Sequence, residues 1–233
     1  MAYIGKQPTA VPLTSSDITD GIVTTAKIAD DAVDNTKLDL TDDFAFTGTI
    51  SGAGGLVKLH STTLSSAASS VSIDGHFTSA YDVYQLHVYN YENATDNQAA
   101  FWRANVGGTA QASAIYLSSG NGMTTTDADA SANSAIGVYD AYNQQYFTWQ
   151  QTQNTGTDLS KTNSIITIFN PLDTTHNKTI HYNVSYEPNQ TYINAYEHFA
   201  VKVRTNSALS GLTFLAASGN ISTGTFTLYG VAK

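Results

Sequence analysis

Residues 180–186, which read Ile-His-Tyr-Asn-Val-Ser-Tyr, decide the fold. Apolar and aromatic side chains occupy every second position of this segment, and polar side chains occupy the positions between them. Because successive side chains of a β-strand point to opposite faces, the alternation predicts a strand with one buried face. The same period of two recurs from Leu56 to the end of the chain, with turn residues between the segments.

Working outward from this segment, the pattern predicts an all-β domain of about twelve strands. The predicted strands are 56–64, 70–77, 81–92, 99–107, 113–118, 135–139, 145–150, 164–170, 178–187, 191–205, 211–216 and 222–231. Turns rich in Gly, Asn and Ser are predicted at 107–108, 119–122, 154–156 and 218–220. Many short strands without helical periodicity favour an antiparallel β-sandwich or jelly-roll head over residues 56–233.

The composition agrees with a β-rich protein and excludes several classes of function. Charged residues are 12% of the 233 residues, whereas globular sequences average about a quarter. With 14 Tyr and 9 Phe, the chain is too aromatic for disorder. A net charge of −9 with ten Lys and Arg argues against a nucleic-acid partner. The lack of cysteine excludes disulfides and thiolate chemistry.

A ten-residue repeat lies upstream of the predicted head, between Thr14 and Leu40. Residues 20–28 (DGIVTTAKI) align with residues 30–38 (DDAVDNTKL). The apolar residues that recur every five positions are Ile18, Val23, Ile28, Val33 and Leu38, and Phe44 and Phe46 can close the same core. This spacing fits neither one helical face nor a long alternating strand. Because so short and polar a repeat cannot bury a core within one chain, we predict that several identical chains share it around one axis.

Three further segments complete the predicted organisation. Residues 14–51 form the stalk, and the glycine-rich residues 52–55 are a flexible joint to the head. Residues 1–13 are predicted to be an extended peptide that becomes ordered on a partner, with Tyr3, Ile4 and Pro8 as its anchoring residues. A frayed terminus is the alternative. No segment is long and apolar enough for a signal peptide or a membrane span, so we expect cytoplasmic synthesis and no membrane insertion.

The stalk carries most of the negative charge. From Asp17 to Asp43 there are eight Asp and two Lys. A solvated surface explains this excess, and calcium bound between chains is the alternative, since carboxylates are hard oxygen ligands.

The residues that could support catalysis or metal binding do not form a recognisable site. His176 and His181 are spaced for opposite faces of a strand, and Asp127 with Asp129 lies in a polar loop. A pair formed by Glu187 and Glu197 is conceivable for glycoside hydrolysis, but nothing in the sequence predicts a shared cleft. No nucleophile elbow, phosphate-binding loop or zinc-protease motif occurs. We therefore predict no enzyme, no cofactor and no metal site.

An aromatic cluster suggests recognition of sugars. The candidate glycan-binding residues, which surround the amides of 143–145, are Tyr139, Tyr142, Tyr146 and Trp149. Aromatic rings stack on the C–H face of a pyranose while polar neighbours bind its hydroxyls. Packing in the core or between chains is the alternative role for each of these rings.

Three segments resemble fibre-like virion structural proteins, of the tail-fibre or head-fibre type, from tailed and especially marine bacteriophages. These segments are residues 2–8 (AYIGKQP), 27–33 (KIADDAV) and 224–230 (GTFTLYG). The resemblance implies a homotrimer in the virion, with its N-terminus docked on another virion protein and its β-rich domain projecting, often towards a host-surface glycan. It supplies no catalytic residues. A capsid decoration or tail adaptor protein without host binding is the alternative, followed by a polysaccharide depolymerase.

Overall fold

The computed structural model describes residues 55–125, 135–153, 161–186 and 194–233. The chain divides into two units, Met1–Ser51 and Gly52–Lys233, and every described residue belongs to the second. The predicted anchor and stalk, with all their candidate residues, and residues 52–54 of the predicted joint lie outside the described residues.

The described residues form thirteen strands and no helix. The strands are β1 (Leu56–Thr63), β2 (Ser70–Asp74), β3 (Val83–Asn93), β4 (Gln98–Val106), β5 (Thr109–Ala110), β6 (Tyr116–Thr125), β7 (Ala135–Gln144), β8 (Phe147–Gln153), β9 (Thr162–Phe169), β10 (Lys178–Tyr186), β11 (Asn194–Val203), β12 (Gly211–Ala216) and β13 (Ile221–Val231). Each of the twelve predicted strands overlaps one of these, and the short β5 is an addition. The all-β prediction is confirmed.

Eight of the strands form four nested antiparallel pairs. β1 pairs with β13, β2 with β12, β3 with β9, and β4 with β8. The pairs β1/β13 and β3/β9 lie in one sheet, in the order β1-β13-β3-β9. The pairs β2/β12 and β4/β8 lie in a second sheet, in the order β2-β12-β4, with β8 on the free edge of β4. A long hairpin folded over in this way is a jelly roll, one of the two architectures that the sequence predicts.

Four more strands widen the first sheet to eight. β10, β11, β6 and β7 continue it beyond β9, and all neighbouring strands in this extension are antiparallel. In sequence these strands are two insertions, one between β4 and β8 and one between β9 and β12. The jelly roll therefore carries an extra four-stranded surface on one side.

Aromatic side chains fill the space between the two sheets. Ring contacts that join them are Phe214–Phe226 at 5.0 Å, Tyr91–Trp149 at 4.9 Å, Phe147–Tyr182 at 5.1 Å and Trp102–Tyr116 at 5.9 Å between centroids. Residues 180–186 behave as their alternation predicts, because the apolar residues of β10 are buried while most of the residues between them are exposed. Three of these pairs are edge-to-face, an arrangement that adds stability beyond the area that it buries, and Phe214–Phe226 is tilted.

The predicted turn at 119–122 is wrong. These residues lie in the middle of β6, where Gly120 pairs with Phe199 of β11. A Cβ atom on Gly120 would stand 2.5 Å from Cγ of Phe199 and against the carbonyl of His198. The glycine allows a close approach between neighbouring strands rather than a turn.

Two other predicted turns are confirmed. Gly107 and Gly108 connect β4 to β5 with φ values of 55° and 80°, and Gly219 connects β12 to β13 with φ of 76°. Glycine adopts this left-handed region at little cost, which explains its use at both positions. The predicted turn at 154–156 lies outside the described residues.

Candidate functional site

The outer face of the eight-stranded sheet is the candidate functional surface. Its residues alternate with buried ones: Tyr89 follows the buried Val88, and Tyr196 lies between the buried Ala195 and Glu197. Several large apolar side chains are exposed here, since Tyr89, Ile165, Tyr196 and Met123 are 44–47% exposed. The face holds two shallow grooves.

The first, here called the tyrosine groove, crosses β3, β9, β10 and β11. Tyr89 and Tyr196 stand at its two ends, and the intervening strands β9 and β10 contribute Asn163, Ile165, Asn183 and Ser185 to its lining. The strand register places Ile165 opposite Asn183, and Ser185 opposite Tyr196. The groove has a volume of about 350 Å³, which lies within the range of small-ligand sites.

Hydrogen bonds fix some polar groups of the tyrosine groove and leave others available. The amide of Asn163 is fixed, because its Oδ1 accepts from the backbone N–H of Asn90 at 3.2 Å and its Nδ2 donates to the carbonyl of Lys161 at 3.0 Å. The Oδ1 atom of Asn183 accepts from Nδ1 of His198. The Nδ2 atom of Asn183 has no protein partner among the described residues, so it can donate to a ligand.

The electrostatic character of the tyrosine groove is neutral. None of its ten lining residues is Asp, Glu, Lys or Arg. Burial lowers the pKa of His87, which lines one side, and this shift favours the uncharged imidazole. The groove therefore presents aromatic rings, amides and hydroxyls without a fixed charge.

The second groove, here called the Tyr142 groove, lies on the same face, between β6, β7, β10 and β11. Tyr142, Leu117, Ser119, Thr179 and Lys202 contribute to its lining, and its volume is about 370 Å³. Thr179 precedes Asn183 by four residues in β10, so the two grooves lie about 13 Å apart along that strand.

The end of β7 is fixed beside this second groove. Nη2 of Arg204 donates to the carbonyl of Ala114 at 2.8 Å and to Oδ1 of Asn143. Asn143 has a φ of 49°, a conformation that asparagine tolerates better than most residues. Tyr142 is 73% exposed next to this anchored position.

The structure does not bring the predicted aromatic cluster together. Tyr142 is exposed on the outer face, whereas Trp149 is fully buried in the core and has no surface to offer a sugar. Tyr146 stacks on Phe101 at 4.0 Å, on the outer side of the smaller sheet. The side chain of Tyr139 lies outside the described residues. Of the three residues in this set whose side chains the structure describes, Tyr142 lines a groove.

Sequence reasoning missed the tyrosine groove, although a signal for it was present. Once Leu86 and Val88 are assigned to the core, the alternation of β3 turns Tyr89 outward. The same argument applied to β11 exposes Tyr196. Strand order was the missing information, because only the arrangement β3-β9-β10-β11 brings Tyr89 and Tyr196 to one surface.

The carboxylates and histidines considered for chemistry are separated. Glu197 is buried and accepts a hydrogen bond from the Tyr186 hydroxyl at 2.8 Å, and its burial raises its pKa. His176 pairs with Asp173 at 2.8 Å, whereas the ring of His181 packs on Phe169. Across the described parts of the chain, no three His, Asp or Glu side chains are grouped to hold a metal ion. Glu187, Asp127 and Asp129 lie outside the described residues.

No protein family model, curated protein or solved structure matches the chain. Among the described residues, no helix is long and apolar enough to cross a membrane.

Proposed function

We propose that the chain is a subunit of a trimeric, non-enzymatic appendage of a phage virion. Residues 1–13 dock on another virion protein, residues 14–51 form the shared stalk, and the jelly-roll unit projects and contacts the host surface. The proposal rests chiefly on the ten-residue repeat, whose apolar positions require other copies of the chain for burial. The resemblance of the N-terminal residues to fibre-like virion proteins supports the same assignment.

The described fold is compatible with this role. Jelly rolls occur in viral capsid proteins and in lectin domains, where a rigid sandwich presents a binding surface. The four extra strands enlarge one surface of this head, and both grooves lie partly or wholly on them. Tyr142 supplies an exposed ring next to Lys202 and the hydroxyl of Thr179, which is a suitable arrangement for binding sugar hydroxyls.

Two assays on the producing phage test the proposal. Gold-labelled antibodies against the purified protein are expected to mark the ends of fibres projecting from the particle in electron micrographs. Purified full-length protein, added in excess, is expected to compete with the phage for adsorption to host cells. Labelling without competition would favour a decoration or adaptor protein, and absence of labelling would refute the virion assignment.

A further inference from the structure

We propose that the tyrosine groove binds an uncharged oligosaccharide, with Tyr89 and Tyr196 as stacking platforms and Asn183 as a hydrogen-bond donor. The inference rests on the proposed function, since it specifies the class of ligand that the projecting head contacts. It assigns a binding site that is separate from the Tyr142 groove.

The two tyrosines are placed to stack on different rings of one ligand. Tyr89 lies on β3 and Tyr196 on β11, with β9 and β10 between them. Three strand spacings separate the two strands by about 14 Å, which suits a short oligosaccharide better than one sugar. Both rings are nearly half exposed, at 44% and 47%, although the strands that carry them are well packed. Because each phenol sits on a rigid sheet, little conformational entropy is lost when a sugar covers it.

The floor between the tyrosines offers the pattern that a sugar requires. Ile165 is 44% exposed there and can contact C–H groups. Nδ2 of Asn183 can donate to a sugar hydroxyl, and the side chain is oriented because its oxygen is held by His198. The hydroxyl of Ser185 also has no protein partner among the described residues, so it can both donate and accept.

The charge of the groove selects among the possible ligands. A sialylated or sulfated sugar, an acidic peptide or a nucleic acid would require Lys or Arg in contact, and the lining contains neither. A cationic ligand would require a carboxylate, which is also absent from the lining. Charge complementarity therefore favours a neutral saccharide.

The test uses purified full-length protein on a printed array of neutral and acidic glycans, followed by calorimetric titration of the neutral glycans that bind. Four variants are compared, namely Tyr196→Ala, Asn183→Ala, Tyr142→Ala and Leu172→Ala. Leu172 is a matched control, because it is also an exposed apolar residue but lies outside both grooves. Sedimentation and near-ultraviolet circular dichroism verify the assembly and fold of each variant.

Binding to neutral glycans is expected, with dissociation constants about tenfold higher for Tyr196→Ala and Asn183→Ala. The Leu172→Ala variant should stay within about twofold of the wild type. Three results would overturn the inference: no neutral glycan bound, binding of acidic glycans alone, or a loss of binding confined to Tyr142→Ala. A change of assembly mass in Tyr196→Ala would also overturn it, since the groove would then be a contact between copies.

Failure of this inference can be told apart from failure of the proposed function. The glycan titration needs neither the virion nor the host, whereas antibody labelling and adsorption competition do not depend on the tyrosine groove. A labelled fibre whose protein binds no neutral glycan would refute the ligand assignment and leave the virion assignment standing.

Discussion

Replacing Trp149 by alanine tests whether this residue belongs to the core, as the structure has it, or to a binding surface, as the sequence suggested. Its side chain is fully buried, with ring contacts to Tyr91 at 4.9 Å and Phe214 at 5.6 Å. Truncation of a buried tryptophan costs about 3–5 kcal/mol of unfolding free energy. For a domain of this size, each kcal/mol lowers Tm by about 2–4 °C, so a loss of 4 kcal/mol predicts a decrease of roughly 8–16 °C.

Two further variants sharpen this test. Trp149→Phe keeps an aromatic ring and removes the indole Nε1, which has no hydrogen-bond partner among the described residues, so its cost should be only about 1 kcal/mol. Tyr142→Ala alters an exposed ring and should change stability by less than about 0.5 kcal/mol. Thermal and urea unfolding of the full-length chain, followed by near-ultraviolet circular dichroism, measure all three. A Trp149→Ala protein with the wild-type Tm would refute the packing described here.

Three other perturbations have defined outcomes. Gly120→Ala should cost at least about 1–3 kcal/mol in urea unfolding, because the added methyl group overlaps the neighbouring strand, and unchanged stability would show that the strands separate easily. Burial and the stacked His60 ring, at 4.1 Å, lower the pKa of His76 against the opposing effect of Asp74. The unfolded chain then binds more protons, so stability should fall as pH decreases below 6.5. The His76→Phe variant should lose less stability than the wild type over that pH range. An equal loss in the two proteins would show that His76 does not cause the pH dependence. Burial raises the pKa of Glu197 above 4.5, so the native state binds more protons than the unfolded chain. The stability of the wild type should therefore fall as pH rises above 4.5. Because glutamine does not ionise, Glu197→Gln should become increasingly stabilising relative to the wild type over that range. A pH-independent difference in chemical denaturation would exclude this explanation.

The strands were predictable because the signal for each is local. In β10, Ile180, Tyr182 and Val184 occupy every second position, which identifies the buried face without knowledge of the neighbouring strands. Gly120 was misassigned because a glycine that permits close approach and a glycine that permits a turn look alike in one sequence. The difference lies in Phe199, which is distant in the chain and adjacent only through the pairing of β6 with β11.

The candidate site was less predictable than the fold. Trp149 and Tyr142 are close in sequence, yet one lies in the core and the other on the surface, because Trp149 is on the inner face of the smaller sheet and Tyr142 is on the outer face of the larger one. The tyrosine groove depends on residues from four strands, and their order follows from long-range pairing. Local pattern could show that Tyr89 and Tyr196 point outward, but the strand order β3-β9-β10-β11 was needed to place them on one surface.

The mass of the purified full-length protein in solution tests the central claim most directly. Analytical ultracentrifugation or mass photometry should give three times the chain mass of 24.8 kDa. The repeat between residues 14 and 40 requires other copies to bury its apolar residues, and the resemblance to fibre-like virion proteins implies three copies. A stable particle with the mass of one chain would contradict the account of the stalk and the assignment as a trimeric appendage.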